Sequence, residues 1–152
     1  MFILRQWFQP TESDFVYSTW IKSYRSSGAV RGIPTPLYNR GQRARIARIL
    51  KNHDTLVTVV APEEEPELIL GYLVQAQPNI LHYIYVKKNY RNAGIARILL
   101  EPYMSMLEDR QPLFYTHKSS QVWIEKRLIE DPSCTSLVYN PYCLEVTNEL
   151  HS

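Results

Sequence analysis

The sequence predicts an α/β (α+β) domain, a sheet with helices packed on it. Three observations carry that prediction. Residues 80–100 read as an alternating strand, a short turn and then apolar residues at helical spacing. Two strand-like runs, Thr55–Ala61 and Glu67–Gln75, are joined by Pro62-Glu63-Glu64-Glu65-Pro66 as a hairpin. Two helical patterns precede that hairpin, so helices and strands interleave along the chain. A length of 152 residues suits one domain, 1–152, and is enough to bury a core.

The elements follow in order. Met1–Phe8 is the first strand. Thr11 to about Ser27 is a helix, with Thr11-x-x-Asp14 as a capping-box-like start and Gly28 as its stop. Val30–Pro36 is an ordered loop, restricted by two prolines. Tyr38–Lys51 is a second helix, with Ile46, Ile49 and Leu50 giving an apolar side. Its arginines (Arg40, Arg43, Arg45, Arg48) and Lys51 form a solvated basic face or, less expected, a contact for an acidic partner. Glu63–Glu65 is a solvated hairpin tip. In the strand from Ile80, the residues Leu81, Tyr83 and Tyr85 alternate with His82, Ile84 and Val86 on the two faces. Ile95, Ile98, Leu99, Met106 and Leu107 then recur at helical spacing. A strand near Leu113–His117, a helix near Gln121–Ile129 and strands near Ser136–Tyr139 and Cys143–Val146 close the chain.

The turn after the strand carries Arg91-x-x-Gly94-x-Ala96. Gly94 lets the backbone turn tightly and approach a ligand, and Ala96 keeps the first helical turn thin. Arg91 supplies a permanent charge and a fork of donors suited to phosphate oxygens. Backbone N–H groups at a helix N-terminus favour an anion, which points to a phosphate-bearing cofactor. The plainer alternative is an ordinary strand–turn–helix with a capping glycine.

Composition narrows the classes. A net charge of +2 makes no strong case for nucleic acid. No apolar run is long enough to span a membrane. The start Met-Phe-Ile-Leu-Arg has too short an apolar run for a secretory signal. Cys134 and Cys143 make neither a disulfide framework nor a zinc site, so a cytoplasmic protein without a metal is expected.

The segment 80–100 resembles motif A of the Gcn5-related N-acetyltransferases (GNATs), where an R/Q-x-x-G-x-G/A turn wraps the pyrophosphate of acetyl-CoA. The element order matches that family over nearly the whole chain. The resemblance implies a mixed, mostly antiparallel central sheet of about seven strands with helices on both faces, splayed at strands four and five. Short acetyltransferase-like proteins of tailed bacteriophages carry segments similar to Ser18–Arg25, His82–Lys87 and Tyr139–Tyr142.

What the resemblance implies for the site is specific. Backbone groups of Ile84 and Val86, with Tyr85 between them, would pair with the pantetheine arm, and Val86 N–H would receive the oxyanion. Arg91, Asn92, Ala93, Gly94, Ile95, Ala96 and Arg97 would hold the pyrophosphate, and Ser120 would join the cofactor site. Lys87, Lys88 and Arg97 either meet the 3′-phosphate or are simply solvated. Family members often dimerise through late strands, so a homodimer is admissible.

His82 is the first candidate base, because an imidazole titrating near pH ~6.5 is largely free base at neutrality. Its spacing His82-x-x-x-Val86 is similar to that of the arylalkylamine N-acetyltransferases, and strand alternation sets both residues on one face. A structural histidine is the alternative, and His117 is the second candidate base. The family's usual tyrosine is missing from Ser119–Lys126. Tyr139 is therefore a candidate acid, with Tyr142, Tyr24 or water in reserve. Trp20, Tyr24 and Arg25 either wall the acceptor site or, for the two aromatics, pack in the core. The expected function is acetyl-CoA-dependent transfer to a primary amine: a protein lysine, an N-terminus or a small amine. The alternative is a non-catalytic module of this fold that grips a host protein.

Overall fold

The computed structural model describes residues 1–76, 79–106, 112–130 (side chains to residue 126) and 136–143. Six strands form one sheet: β1 (Phe2–Gln6), β2 (Thr55–Pro62), β3 (Gly71–Ala76), β4 (Ile80–Val86), β5 (Pro112–Tyr115) and β6 (Ser136–Tyr139). Their spatial order is their chain order. The first four pair antiparallel, while β4–β5 and β5–β6 run parallel. The sheet is thus mixed as expected, with six strands among the described residues rather than about seven. Cys143 begins no strand; its N–H bonds back to Asn140 O at 3.2 Å in a tight turn. Leu107, Cys134 and positions 144–146 of the expected closing strand lie outside the described residues.

Helices α1 (Ser13–Ser26) and α2 (Thr35–Lys51) cover one face. Val16, Trp20 and Tyr24 recur every four residues on α1, and Tyr38, Gln42, Ile46 and Ile49 line the buried side of α2. They pack with Val57, Val59, Tyr72, Val74 and Tyr83 of the sheet. Helix α3 (Ile95–Ser105) covers the other face together with Ile124 of α4 (Gln121–Glu130). Ile95, Leu99, Leu100 and Met104 of α3 lie against Leu73, Leu81, Ile84 and Val86. Close approach there depends on Gly71. A Cβ at this position would stand 2.6 Å from Tyr85 O and 2.9 Å from Ile95 Cγ2.

Helix α1 starts differently from expectation. Thr11 does not cap it: its hydroxyl donates to Phe8 O. The Glu12 carboxylate instead accepts from Phe8 N–H at 2.8 Å and from both ends of the Arg5 fork at 2.9 and 2.7 Å. That ties the entry of α1 to β1, and the Arg5 hydrogen bonds hold the Glu12 pKa below its usual range. Helix α2 begins at Thr35, earlier than Tyr38, because Pro36 in a first turn has no N–H to lose.

Two departures from regular sheet geometry shape the site. Strand β4 pairs with β5 at Ile80↔Phe114 and Leu81↔Tyr115, and among the described residues it faces no partner strand on that side beyond Leu81. On the other side, Val74 pairs with Tyr83 but Gln75 pairs with Leu81, which leaves His82 as an extra residue. Such a bulge reverses the alternation of faces.

Candidate functional site

The splay exposes one edge of β4. Lys87 N–H bonds to Leu70 O at 2.8 Å, so at this residue the backbone points toward β3. Alternation along the strand then turns the backbone groups of Val86 and Ile84 the other way, to the open edge left by β5. A cleft of about 720 Å³ runs along this edge, lined by Ile84, Tyr85 and Val86 of β4, Thr19, Lys22 and Ser23 of α1, and Ser119 and Trp123 near α4. Arg91 lines its far end.

Beyond Arg91 the cleft meets a second cavity of about 340 Å³, walled by Arg91, Asn92, Gly94, Ala96, Arg97, Leu100, Trp123 and Lys126. Gly94 stands at φ +77°, the left-handed conformation that suits glycine, and the helix begins immediately after it. No side chain caps α3, and its first intrahelical bond runs from Ile98 N–H to Gly94 O at 3.0 Å. The N–H groups of Ile95 and Ala96 are therefore left for a ligand. Arg91, Arg97 and Lys126 add cationic charge at the same place. Ile95 itself is fully buried and contributes backbone only, while Ala93 sits in the turn with its N–H on Tyr90 O. The donor set suits an anion of phosphate type.

Several expected site residues lie elsewhere. Because of the bulge, His82 is not on the face of Val86. Leu81 takes that face with Ile84 and Val86. His82 is fully buried and borders a separate cavity of about 220 Å³ with Arg45, Ile49 and Tyr142. His117 is also fully buried and lines neither cavity. The two imidazoles belong to one hydrogen-bonded chain through Thr116. The Gln42 amide N–H donates to His117 Nε2 at 2.8 Å, which puts the proton of neutral His117 on Nδ1. That proton faces Thr116 Oγ1 at 3.0 Å, and Thr116 Oγ1 stands 2.9 Å from His82 Nδ1. Burial, aided by Arg45, lowers the His82 pKa to about 3 and pushes His117 well below its ordinary value. In this geometry neither is a base poised at the cleft.

Trp20 is fully buried, with its ring stacked on Tyr83 at 5.0 Å, and Tyr24 packs edge-on against His117 at 4.6 Å. Both are core residues and line neither the cleft nor the second cavity. Arg25 lines a groove between α1 and α2. Tyr139 is partly exposed and stands by Tyr115 and Lys118, away from the cleft. Ser120 is buried, and the neighbouring Ser119 reaches the cleft in its place.

The residue missed by sequence reasoning is Tyr83. Its phenol oxygen lies 2.5 Å from Ser23 Oγ, and Ser119 lines the same cleft. Burial raises its pKa to about 12, with the two serines acting against the rise. It is a hydroxyl that lines the cleft between α1 and the start of α4. The only signal was its alternation with Ile84, since Ser23 and Ser119 are remote in sequence.

Among the described residues, no group of three metal-ligating side chains occurs, and no helix is long and apolar enough to cross a membrane.

No family model matches the chain. No curated protein matches it in sequence. Solved structures do match. A candidate acetyl transferase from Pyrococcus furiosus superposes with a TM-score of 0.51 over 98% of this chain and 91% of its own, at 13% identity. YjaB from Escherichia coli in its apo form gives 0.53 over 70% of this chain and 67% of its own, at 15% identity. Neither is a bacteriophage protein, so the phage resemblance rests on sequence segments alone. The fold is the GNAT fold.

Proposed function

We propose that this chain is an acetyl-CoA-dependent N-acetyltransferase that passes an acetyl group directly to a primary amine. One observation carries the reading: the open edge of β4 at Ile84 and Val86 leads straight into the uncapped N-terminus of α3 with its cationic surround. An extended arm ending in a pyrophosphate fits that arrangement, with amide groups for the edge and phosphates for the turn. Gly94 leaves open space where a side chain would project.

Acetyl-CoA supplies an activated acyl group and a thiol as leaving group. The chain's own residues do the rest. Ile84 and Val86 bind the arm by backbone hydrogen bonds. Val86 N–H stabilises the negative charge that develops on the acyl oxygen, a kind of fixed donor that contributes several kcal/mol. Arg91 and the N–H groups of Ile95 and Ala96 neutralise the phosphates, with Arg97, paired to Glu101, beside them. As the C–N bond forms and the C–S bond breaks, Tyr83 O–H donates a proton to the departing sulfur. The amine's surplus proton returns to the Tyr83 oxygen through Ser23, so the proton count closes. Tyr83 remains a phenol at physiological pH because its pKa is raised to about 12.

No histidine acts as base at the cleft, and no carboxylate lines it among the described residues. Lys22, Lys88 and Arg91 do. A positive wall disfavours a second cation, so it lowers the pKa of an entering ammonium and releases the nucleophile. Radiolabelled acetyl-CoA offered with a panel of peptides and small amines tests the proposal. Transfer that depends on enzyme and is reduced in Tyr83→Phe is expected, and absence of transfer to every amine class would contradict it.

A further inference from the structure

We infer that the acceptor amine carries a carboxylate close to it, and that Lys22, Arg25 and Arg43 read that anion along the groove between α1 and α2. The inference rests on the acetyl-transfer reading of the cleft and adds the chemistry of the substrate.

The groove, about 420 Å³, is walled by Lys22 and Arg25 of α1 and by Tyr38, Asn39 and Arg43 of α2. Lys22 and Ser26 also line the cleft, so the two spaces adjoin across this part of α1. Three cations from two helices face this groove, and no carboxylate lines either space among the described residues. Among the described residues none of the three takes part in an ion pair there. Arg25 is steadied over the Tyr38 ring at 5.1 Å and Arg43 over the Tyr17 ring at 5.4 Å, which lowers the cost of ordering them around a ligand.

Position sets the spacing. Ser23, whose hydroxyl meets Tyr83 in the cleft, marks the amine end. Arg25 and Ser26 lie within about one helical turn of it, about 5 Å along the axis. An amine at the cleft and a carboxylate in the groove are thus separated by roughly one or two residue lengths. A peptide N-terminus with Asp or Glu at its second or third position meets that requirement, and so does a free acidic amino acid. The shared chemistry is an amine with a nearby carboxylate. A polycationic acceptor, such as a lysine-rich tail, meets repulsion from both walls.

The test is fluorescence anisotropy and acetyl transfer on the same protein sample, at about 0.1 M salt where such charges still act over about 10 Å. The probes are Ser-Asp-Glu-Gly-Gly and Ser-Lys-Lys-Gly-Gly, each labelled at its C-terminus, a single-stranded oligonucleotide, and unlabelled aspartate and glutamate as competitors. The acidic peptide is expected to bind and react about tenfold better than the basic one, and Lys22→Glu with Arg43→Glu is expected to reverse that order. Competition by the free amino acids would assign a small acceptor, and its absence a peptide acceptor. Both substituted side chains are exposed, and an unchanged melting temperature shows that the fold persists. Equal use of acidic and basic peptides would overturn the inference while the acetyl-transfer reading stands. Equal binding of oligonucleotide and acidic peptide would also overturn it, as affinity for any polyanion. Failure of the same sample to bind CoA would instead remove the reading beneath it.

Discussion

Tyr83 and Ser23 join β4 to α1 at the mouth of the splay, with 2.5 Å between their oxygens. The contact fixes a phenol at the open strand edge while its ring stacks on Trp20. Tyr83→Phe keeps the stack and removes the O–H. The expected outcome is a fall in kcat of about 10²–10⁴-fold with CoA affinity unchanged. In steady-state kinetics, parental turnover in the variant would remove the proton-donor role.

The His82–Thr116–His117 chain predicts a pH dependence of stability. An unfolded histidine titrates at 6.5, while folded His82 titrates at about 3 and His117 is lowered too. Between those limits the unfolded chain binds protons that the native chain does not. Stability is therefore fully present above about pH 6.5 and falls as the pH drops below it, by up to about 1.4 kcal/mol per pH unit for each histidine. Glu12, lowered from 4.5 by Arg5, adds its own loss only below that value, so the range from 4.5 to 6.5 isolates the histidines. Melting temperatures should decline from pH 7 to pH 5, less steeply in His82→Gln. A flat profile would contradict neutral burial of this pair.

Gly71 is a packing position. A methyl group there would meet Tyr85 O at 2.6 Å and Ile95 Cγ2 at 2.9 Å. Moving backbone or helix α3 to make room costs about 1–3 kcal/mol. Urea denaturation of Gly71→Ala should show that loss with little change in slope. Retained stability would mean that α3 shifts freely on the sheet.

Gly94 separates strain from ligand binding. Its φ of +77° penalises any Cβ, yet no atom stands within 4 Å of where one would project. Gly94→Ala should cost about 1 kcal/mol from the left-handed backbone alone. Gly94→Glu adds a carboxylate beside the phosphate cradle and should weaken CoA binding more than tenfold beyond Gly94→Ala. Equal affinities for the two variants would displace the phosphates from this turn.

Much of this architecture was legible in the residues. Ser136–Tyr139 is a strand where its pattern placed it, and Gly28, at φ +83°, ends α1 as expected. The strand–turn–helix at 80–100 is local and follows from periodicity and one glycine. His82 was not legible: its bulge arises from register against β3, which alternation within β4 does not record. Thr11 and Glu12 show the same limit, because the Glu12 carboxylate at the start of α1 was recruited by Arg5 from a neighbouring strand rather than capping the helix. Tyr83 acquires its hydroxyl partner Ser23 from α1, and only tertiary packing brings the two together.

Calorimetry of acetyl-CoA, with desulfo-CoA and ATP as comparisons, tests the central claim most directly. Micromolar binding at one site by both CoA ligands, far tighter than ATP, is the predicted result. It would mean that the edge of β4 grips the pantetheine arm while α3 holds the phosphates. Absence of binding at millimolar acetyl-CoA, or equal affinity for ATP, would contradict it.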